Sequence, residues 1–262
     1  MNYQLENKRA LVSGSTKGIG FAIGLALARE GAHVILNGRT EASVAEAIGR
    51  LKETLPSAQI SGFAGDLSKL ADVTALVKHH PEVDILVNNL GIFDPKAFEE
   101  IPDEDWQRFF DVNVMSGVRL SRAYLPGMKQ RNWGRVVFIS SESGIQIPVE
   151  MIHYGMTKTA QLALSRGLAE SCAGTGVTVN SVLPGPTSSE GVNEFVDKLS
   201  GGQSFEAFEK TFFEQARPSS LLKRFTTPEE VANMVAYVCS VAASATTGAA
   251  LRVDGGVVRS AF

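Results

Sequence analysis

"RALVSGSTKGIGFAIGLALAREGAHVILNGR", residues 9–39, decides the fold. "RALVSG" (9–14) is a short, almost wholly apolar strand that stops at a glycine. "GIGFAIGLALAREGA" (18–32) reads as a helix closed by Gly31, and "HVILNGR" (33–39) is apolar again. A strand without polar alternation must be buried on both faces. Two such strands joined by a helix make a crossover unit, whose strands run parallel.

The same alternation extends through the chain. Further strands are expected in "QISGFAGDLS" (59–68), "VDILVNNLG" (83–91), "GRVVFISS" (134–141), "VTVNSVLPG" (177–185) and "AALRVDGG" (249–256). Helices are expected over 40–55 with Thr40 as N-cap, over 69–80, as one long element over 103–130, and from about 153 to 170. In "TTPEEVANMVAYVCS" (226–240), Thr227, Pro228 and Glu230 stand as N-cap, first-turn proline and capping-box glutamate. The expectation is α/β: one doubly wound Rossmann-type domain over residues 1–262, with a seven-stranded parallel sheet and helices on both faces. Residues 186–225 break the pattern with "TSSEG", "SGGQS" and Phe195, Phe205, Phe208, Phe212 and Phe213. An insertion after a strand's carboxyl end suits a substrate-binding flap, because ligands bind along that edge of an open parallel sheet. The other reading is a surface insertion with a small apolar contact patch.

Composition narrows the class. The 262 residues are 44% hydrophobic and 20% charged, with a formal net charge of −3. Lys and Arg form no basic stripe, which argues against nucleic acid or an anionic membrane as partner. Cys172 and Cys239 stand outside any CxxC or metal-ligand spacing, and the four histidines show none either, so no metal is expected. No apolar run reaches the roughly 18 residues of a membrane span. The opening "MNYQLENKRALV" runs straight into a strand, without signal-peptide character. A cytoplasmic protein is the expectation.

The loop "SGSTKGIG" places Gly14, Gly18 and Gly20 between a strand and its helix, with Ser15, Thr16, Lys17 and Ile19 among them. Glycines let the backbone approach a ligand, and the helix N-terminus offers N–H groups and a positive dipole end to a pyrophosphate. Glycine loops also occur as plain turns; this one has the strand before it and the helix after it that dinucleotide binding requires. The next strand ends Asn37-Gly38-Arg39, without the acid that holds the ribose hydroxyls of NAD. A guanidinium there suits the 2′-phosphate of NADP, and Lys17 adds a second positive charge. NADP(H) is the expected cofactor, with NAD(H) still usable.

"HYGMTKTAQLALSRGLAE" (153–170) holds Tyr154 and Lys158 four residues apart, hence on one face of a helix, one turn apart. The residues alone allow two readings. They are a surface pair with snorkelling side chains, or a phenol whose proton affinity is lowered by a neighbouring ammonium.

With these motifs in order, the chain resembles the short-chain dehydrogenase/reductase family from about residue 6 to 260. The glycine loop matches the family's cofactor loop, and "DILVNNLG", with Asn89 and Gly91, its strand-four motif. "GDLS" supplies Asp66, matching the adenine-contacting acid, and Leu67 beside it. "DVNVMS" supplies Asn113, "ISSESG" supplies Ser141, and "YGMTK" is the Tyr-x-x-x-Lys motif. "LPGPTSS" matches the turn under the nicotinamide through Pro184 and Gly185; either Ser189 or Thr187 provides the hydroxyl that follows. Leu90 departs from the family's alanine and is expected to narrow the cleft.

The resemblance implies that Tyr154 passes its proton to a carbonyl oxygen while the cofactor delivers hydride to the carbon. Lys158 lowers the phenol's pKa and binds the nicotinamide ribose, Ser141 polarises the substrate oxygen, and Asn113 holds a water that joins Lys158 to solvent. The implied function is reduction of a ketone or aldehyde, or oxidation of the secondary alcohol, on a small-molecule substrate. Pocket candidates are Glu142 to Ile147, Pro148, Met151 and the flap. A homo-oligomer, tetramer or dimer, is implied through the segments 103–130 and 148–172. Competing readings are a 3-oxoacyl-thioester reductase, a cofactor sensor without catalysis, and a structural oligomer. His153 either lines the substrate mouth or faces away. Trp106 and Trp133 are expected to pack, and His79 and His80 to end a helix at the surface.

Overall fold

The computed structural model describes residues 3–190 and 204–261. Seven strands form one sheet: β1 (Arg9–Val12), β2 (His33–Gly38), β3 (Ile60–Ala64), β4 (Ile85–Asn88), β5 (Gly134–Ile139), β6 (Val177–Pro184) and β7 (Ala250–Val253). Their order is β3-β2-β1-β4-β5-β6-β7 and every pairing is parallel, from Arg9 opposite His33 to Pro184 opposite Val253. The chain winds outward from β1 to β3, then returns and winds the other way from β4. The carboxyl ends of β1 and β4 are therefore the switch point, where an open parallel sheet forms its ligand crevice.

Both faces are buried, as the unbroken apolar strands require. Along β1, Ala10 and Val12 enter one apolar layer and Leu11 the other; along β5, Val137 and Ile139 face the first layer, Val136 and Phe138 the second. The first layer is closed by α1 (Gly18–Arg29) and α8 (Pro228–Cys239), the second by α5 (Ser116–Gln130) and α6 (Ile152–Ser171). Other described helices are α2 (Glu41–Thr54), α3 (Leu70–His79), α4 (Asp103–Phe110) and α7 (Phe205–Gln215).

Local signals act where expected. Thr40 caps α2 by accepting from the Ser43 N–H, and Thr227 and Glu230 form both halves of a capping box beneath Pro228. The segment 103–130 departs from the expectation of one regular helix. A π-helical turn over Asp111–Met115 separates α4 from α5, and Asn113 lies within it. Such wide turns inside helices are frequent at functional sites, and the apolar period of the sequence does not mark this one.

Of the flap, residues 191–203 with Phe195 lie outside the described residues. In the remainder, α7 buries Phe213 and stacks Phe212 on Phe225 at 5.1 Å. No described helix is long and apolar enough to cross a membrane.

Candidate active site

At the switch point, the glycine loop is fixed from below by Asn37, whose role the sequence reading missed. Its Oδ1 accepts from the Gly14 N–H at 3.0 Å, and its Nδ2 donates to the Phe63 and Gly65 carbonyls at 3.1 Å each. One buried amide thus ties the loop to β2 and β3. Ser15 points inward: its hydroxyl donates to the Val12 carbonyl and accepts from the Asn37 N–H, so its side chain belongs to the loop's own scaffold. Leu67 is likewise core, its side chain 1% exposed. Thr16, Gly18 and Ile19 are half-buried, and Lys17 and Arg39 are exposed. Ile19 lines the cavity described below.

Gly20 is required by close approach. A Cβ there would lie 2.5 Å from both the Asn89 Nδ2 and the Gly14 carbonyl oxygen. The latter is backbone and cannot swing away. Gly20→Ala is therefore expected to cost about 1–3 kcal/mol and to weaken NADPH binding at least ten-fold, read by thermal unfolding and fluorescence titration. Unchanged affinity would contradict this account of the loop.

The loop already holds an anion. Its Gly18 N–H donates to the Glu190 Oε2 at 3.0 Å, while Glu190 Oε1 pairs with Arg50 at 3.1 Å. A carboxylate seated on the N–H at the start of α1 is chemically a stand-in for a phosphate oxygen. A dinucleotide's pyrophosphate fits this cradle. On its far side Asp66 is fixed by Ser68; burial alone would raise its pKa, but bonds from the Ser68 hydroxyl and N–H, with Lys69 and Arg39 nearby, hold it below the usual range.

Beyond the loop opens a cavity of about 820 Å³, lined among others by Asn89, Gly91, Ser141, Tyr154, Lys158, Pro184, Gly185, Thr187 and Ser189. Leu90 does not narrow it. The Leu90 side chain lies against Gly14 and the second apolar layer, because neighbouring residues leaving a strand point in alternate directions. The Thr187 hydroxyl donates to the Gly185 carbonyl at 2.9 Å and meets the Thr226 hydroxyl at 3.0 Å. Ser189 instead stands over the glycine loop, its Cβ 3.2 Å from where a Gly18 side chain would begin.

Ser141 follows β5 and accepts from the Ser143 N–H at 3.1 Å. The loop after it lies directly on α6. A Cβ on Gly155 would come within 3.0 Å of the Ser143 carbonyl oxygen, and Thr159 donates to the Gly144 carbonyl at 2.8 Å. This close packing brings Ser141 to the phenol of Tyr154. Burial pushes that phenol up to about 12, opposed by its hydrogen bond with Ser141. The sequence reading expected a lowered value. The ammonium stands 5.5 Å from the phenol ring centre, and desolvation of the phenolate sets the direction. Lys158 itself is brought down to about 7 by burial.

Lys158 Nζ donates to the Ile139 carbonyl at 2.9 Å and to Gln161 Oε1 at 3.4 Å, and Gln161 Nε2 donates to the Asn113 carbonyl. Gln161 thus bridges the lysine to the π-helical turn. It lies on the buried face of α6 with Thr157, Lys158 and Ser165, and no motif spacing marks it in the sequence. The Asn113 side chain is engaged as well, accepting from the Ile92 N–H at 2.8 Å and donating to the Ile92 carbonyl and the Thr157 hydroxyl at 3.0 Å.

His153 is core and not part of the substrate mouth. Its ring is fully buried, 4.0 Å from the Phe109 ring and 5.8 Å from Trp106, and burial lowers its pKa. Trp106 packs as expected; Trp133 lies between Lys8 and Arg135. Of the expected pocket wall, Glu142, Ser143 and Met151 line the cavity, together with Phe208 and Phe212 of α7; Gly144 to Pro148 turn away, with Ile145 and Ile147 facing solvent.

Comparison with known proteins agrees with this fold. A profile described as enoyl-(acyl carrier protein) reductase matches residues 14–258. The uncharacterized oxidoreductase YvaG of Bacillus subtilis strain 168 is 49% identical over the full length of both chains. A D-beta-hydroxybutyrate dehydrogenase of Cupriavidus necator is 32% identical, covering 97% of this chain and 99% of that one. L-sorbose reductase from Gluconobacter frateurii, solved with NADPH and L-sorbose, superposes with a TM-score of 0.94 at 31% identity over 99% of this chain and all of its own. A glycine loop at the switch point, a serine after β5 and a Tyr-x-x-x-Lys turn at the head of α6 stand together on a fold shared end to end with these oxidoreductases, and the chain belongs to the short-chain dehydrogenase/reductase family.

Proposed function

We propose that the protein is an NADP(H)-dependent reductase of ketones or aldehydes, running in reverse as a secondary-alcohol dehydrogenase. The observation that carries the reading is the convergence of Ser141, Tyr154 and Lys158 on one cavity wall beside a loop that already accepts an anion. When bound, NADPH supplies a hydride to the carbonyl carbon and leaves as NADP⁺.

The protein's part follows from its own groups. With a phenol near 12, Tyr154 is protonated throughout the neutral range and acts as the acid: its O–H bond breaks, the proton goes to the carbonyl oxygen, and the alcohol is complete. Ser141 donates a hydrogen bond to the same oxygen as negative charge builds on it. Lys158, near 7 and reaching for Ile139 and Gln161, is at hand to carry positive charge beside the phenolate left behind. Asn113 ties the Ile92 turn to the catalytic helix through the Thr157 hydroxyl. NADPH in the L-sorbose reductase complex supports the choice of cofactor.

Within this reading Arg39 and Lys17 bind the 2′-phosphate, Asp66 the adenine, and Ser189 or Thr187 the far side of the cofactor. Arg39→Ala should raise the KM for NADPH roughly ten- to hundred-fold and leave NADH nearly untouched. Equal losses with both cofactors would remove Arg39 from this role. Phe110 and Met156, exposed on the segments 103–130 and 148–172, favour assembly as a tetramer or dimer. The reading is tested by following NADPH and NADH absorbance against ketones, diketones, sugars and 3-oxoacyl thioesters. Consumption of NADPH with one class supports it; binding without turnover across the panel, in both directions, favours a sensor.

A further inference from the structure

The substrate end of the cavity carries an ion cluster that the reaction does not use. Arg217, just beyond α7, is buried, and its Nε donates to Glu142 Oε1 at 2.9 Å. One of its terminal nitrogens donates to Glu150 Oε1 at 3.1 Å and to the Ala216 carbonyl at 2.8 Å. Glu142 follows Ser141 directly, and Glu150 stands four residues before Tyr154, so one guanidinium joins the flap to both catalytic segments. Its Nε and one terminal nitrogen are directed at these two carboxylates and a carbonyl. Asp94 adds a third carboxylate to the same wall. The other cation lining the cavity, Lys158, is held by Ile139 and Gln161. The second carboxylate oxygen of Glu142, Oε2, is buried as well.

Three carboxylates against one already-paired guanidinium give this end of the cavity a negative balance. We infer that the substrate is a neutral ketone and that the Glu142–Arg217–Glu150 cluster rejects ketones bearing a carboxylate or phosphate. A substrate anion that drew the Arg217 Nε away from Glu142 would leave a buried carboxylate unpaired beside Phe208 and Phe212. Arg217 in this position invites the opposite reading, as an anion-binding residue; its two existing partners argue against it.

The inference rests on the carbonyl-reductase reading, and its test separates the two. Ethyl 3-oxobutanoate and 3-oxobutanoate present the same ketone with and without a negative charge. Calorimetric titration of each into the full-length protein with saturating NADP⁺ at pH 7 should show the ester binding about ten-fold or more tightly than the acid. NADPH consumption should show the same order in kcat/KM. Equal binding, tighter binding of the acid, or no binding of either overturns the charge selection, whatever happens to NADPH. Binding of the ester without its reduction counts against the reductase reading alone. Glu150→Gln removes one carboxylate without stranding a buried charge and should narrow the preference at least about three-fold. An unchanged preference would show that this cluster is not its cause.

Discussion

Tyr154→Phe is expected to lower kcat/KM for carbonyl reduction by roughly a thousand-fold or more, within the upper range for loss of a positioned general acid. It should change the Kd for NADPH less than about three-fold. The substitution removes one oxygen from a ring packed edge-to-face against Phe93 at 6.4 Å, so the fold keeps its contacts. Only the proton donor and the partner of Ser141 are lost. The pH dependence carries a sign. A phenol at about 12 stays protonated from pH 6 to 9, so Tyr154 itself imposes no fall in the reduction rate over that range. A variant that retained a tenth of the activity would exclude Tyr154 as the acid.

Lys158→Met is expected to have two large effects of opposite character. Reduction should fall at least a hundred-fold, because no cation remains beside the phenolate. Stability should rise. Burial brings Lys158 from its ordinary 10.5 to about 7. Between those values the unfolded chain binds a proton that the folded chain does not, so stability grows as pH rises through this window. Below about 7 the folded protein carries the full cost of a buried ammonium. Methionine removes that cost, on the order of a few kcal/mol, and leaves the Ile139 carbonyl without its donor, which returns about 1 kcal/mol. The thermal midpoint of the variant should therefore exceed that of the parent by several degrees at pH 7, and the gap should close toward pH 10. Equal midpoints at both pH values would mean that the ammonium is solvated in the folded protein.

The sheet was legible because a strand buried on both faces has no means of disguising its apolar run, and because Gly, Thr-Pro and Asn-Gly signals punctuate it. Every expected strand forms, and the capping box at Thr227 appears as read. The π-helical turn at Asp111–Met115 was not legible, since its apolar period matches that of an ordinary helix. At the site, Tyr154, Lys158 and Ser141 could be found because motif spacing fixes them. Asn37, Gln161 and Arg217 could not. Each acts across long sequence separations, Asn37 on β2 to Gly14, Gln161 to Asn113, Arg217 to Glu142, and a single sequence holds no record of such contacts. The phenol's pKa failed for a related reason. Helical offset gives the distance between Tyr154 and Lys158, but the burial that decides the sign comes from the loop packed over them.

The central claim is transfer of hydride from the cofactor to a carbonyl carbon beside Tyr154. It is tested most directly with NADPH carrying deuterium at the transferable C4 position and the best ketone of the panel, with the alcohol analysed by mass spectrometry. The account predicts one deuterium per product molecule, on the carbinol carbon, and none in the product when the label is on the opposite face of C4. Oxidation of NADPH without deuterium in the alcohol would contradict it.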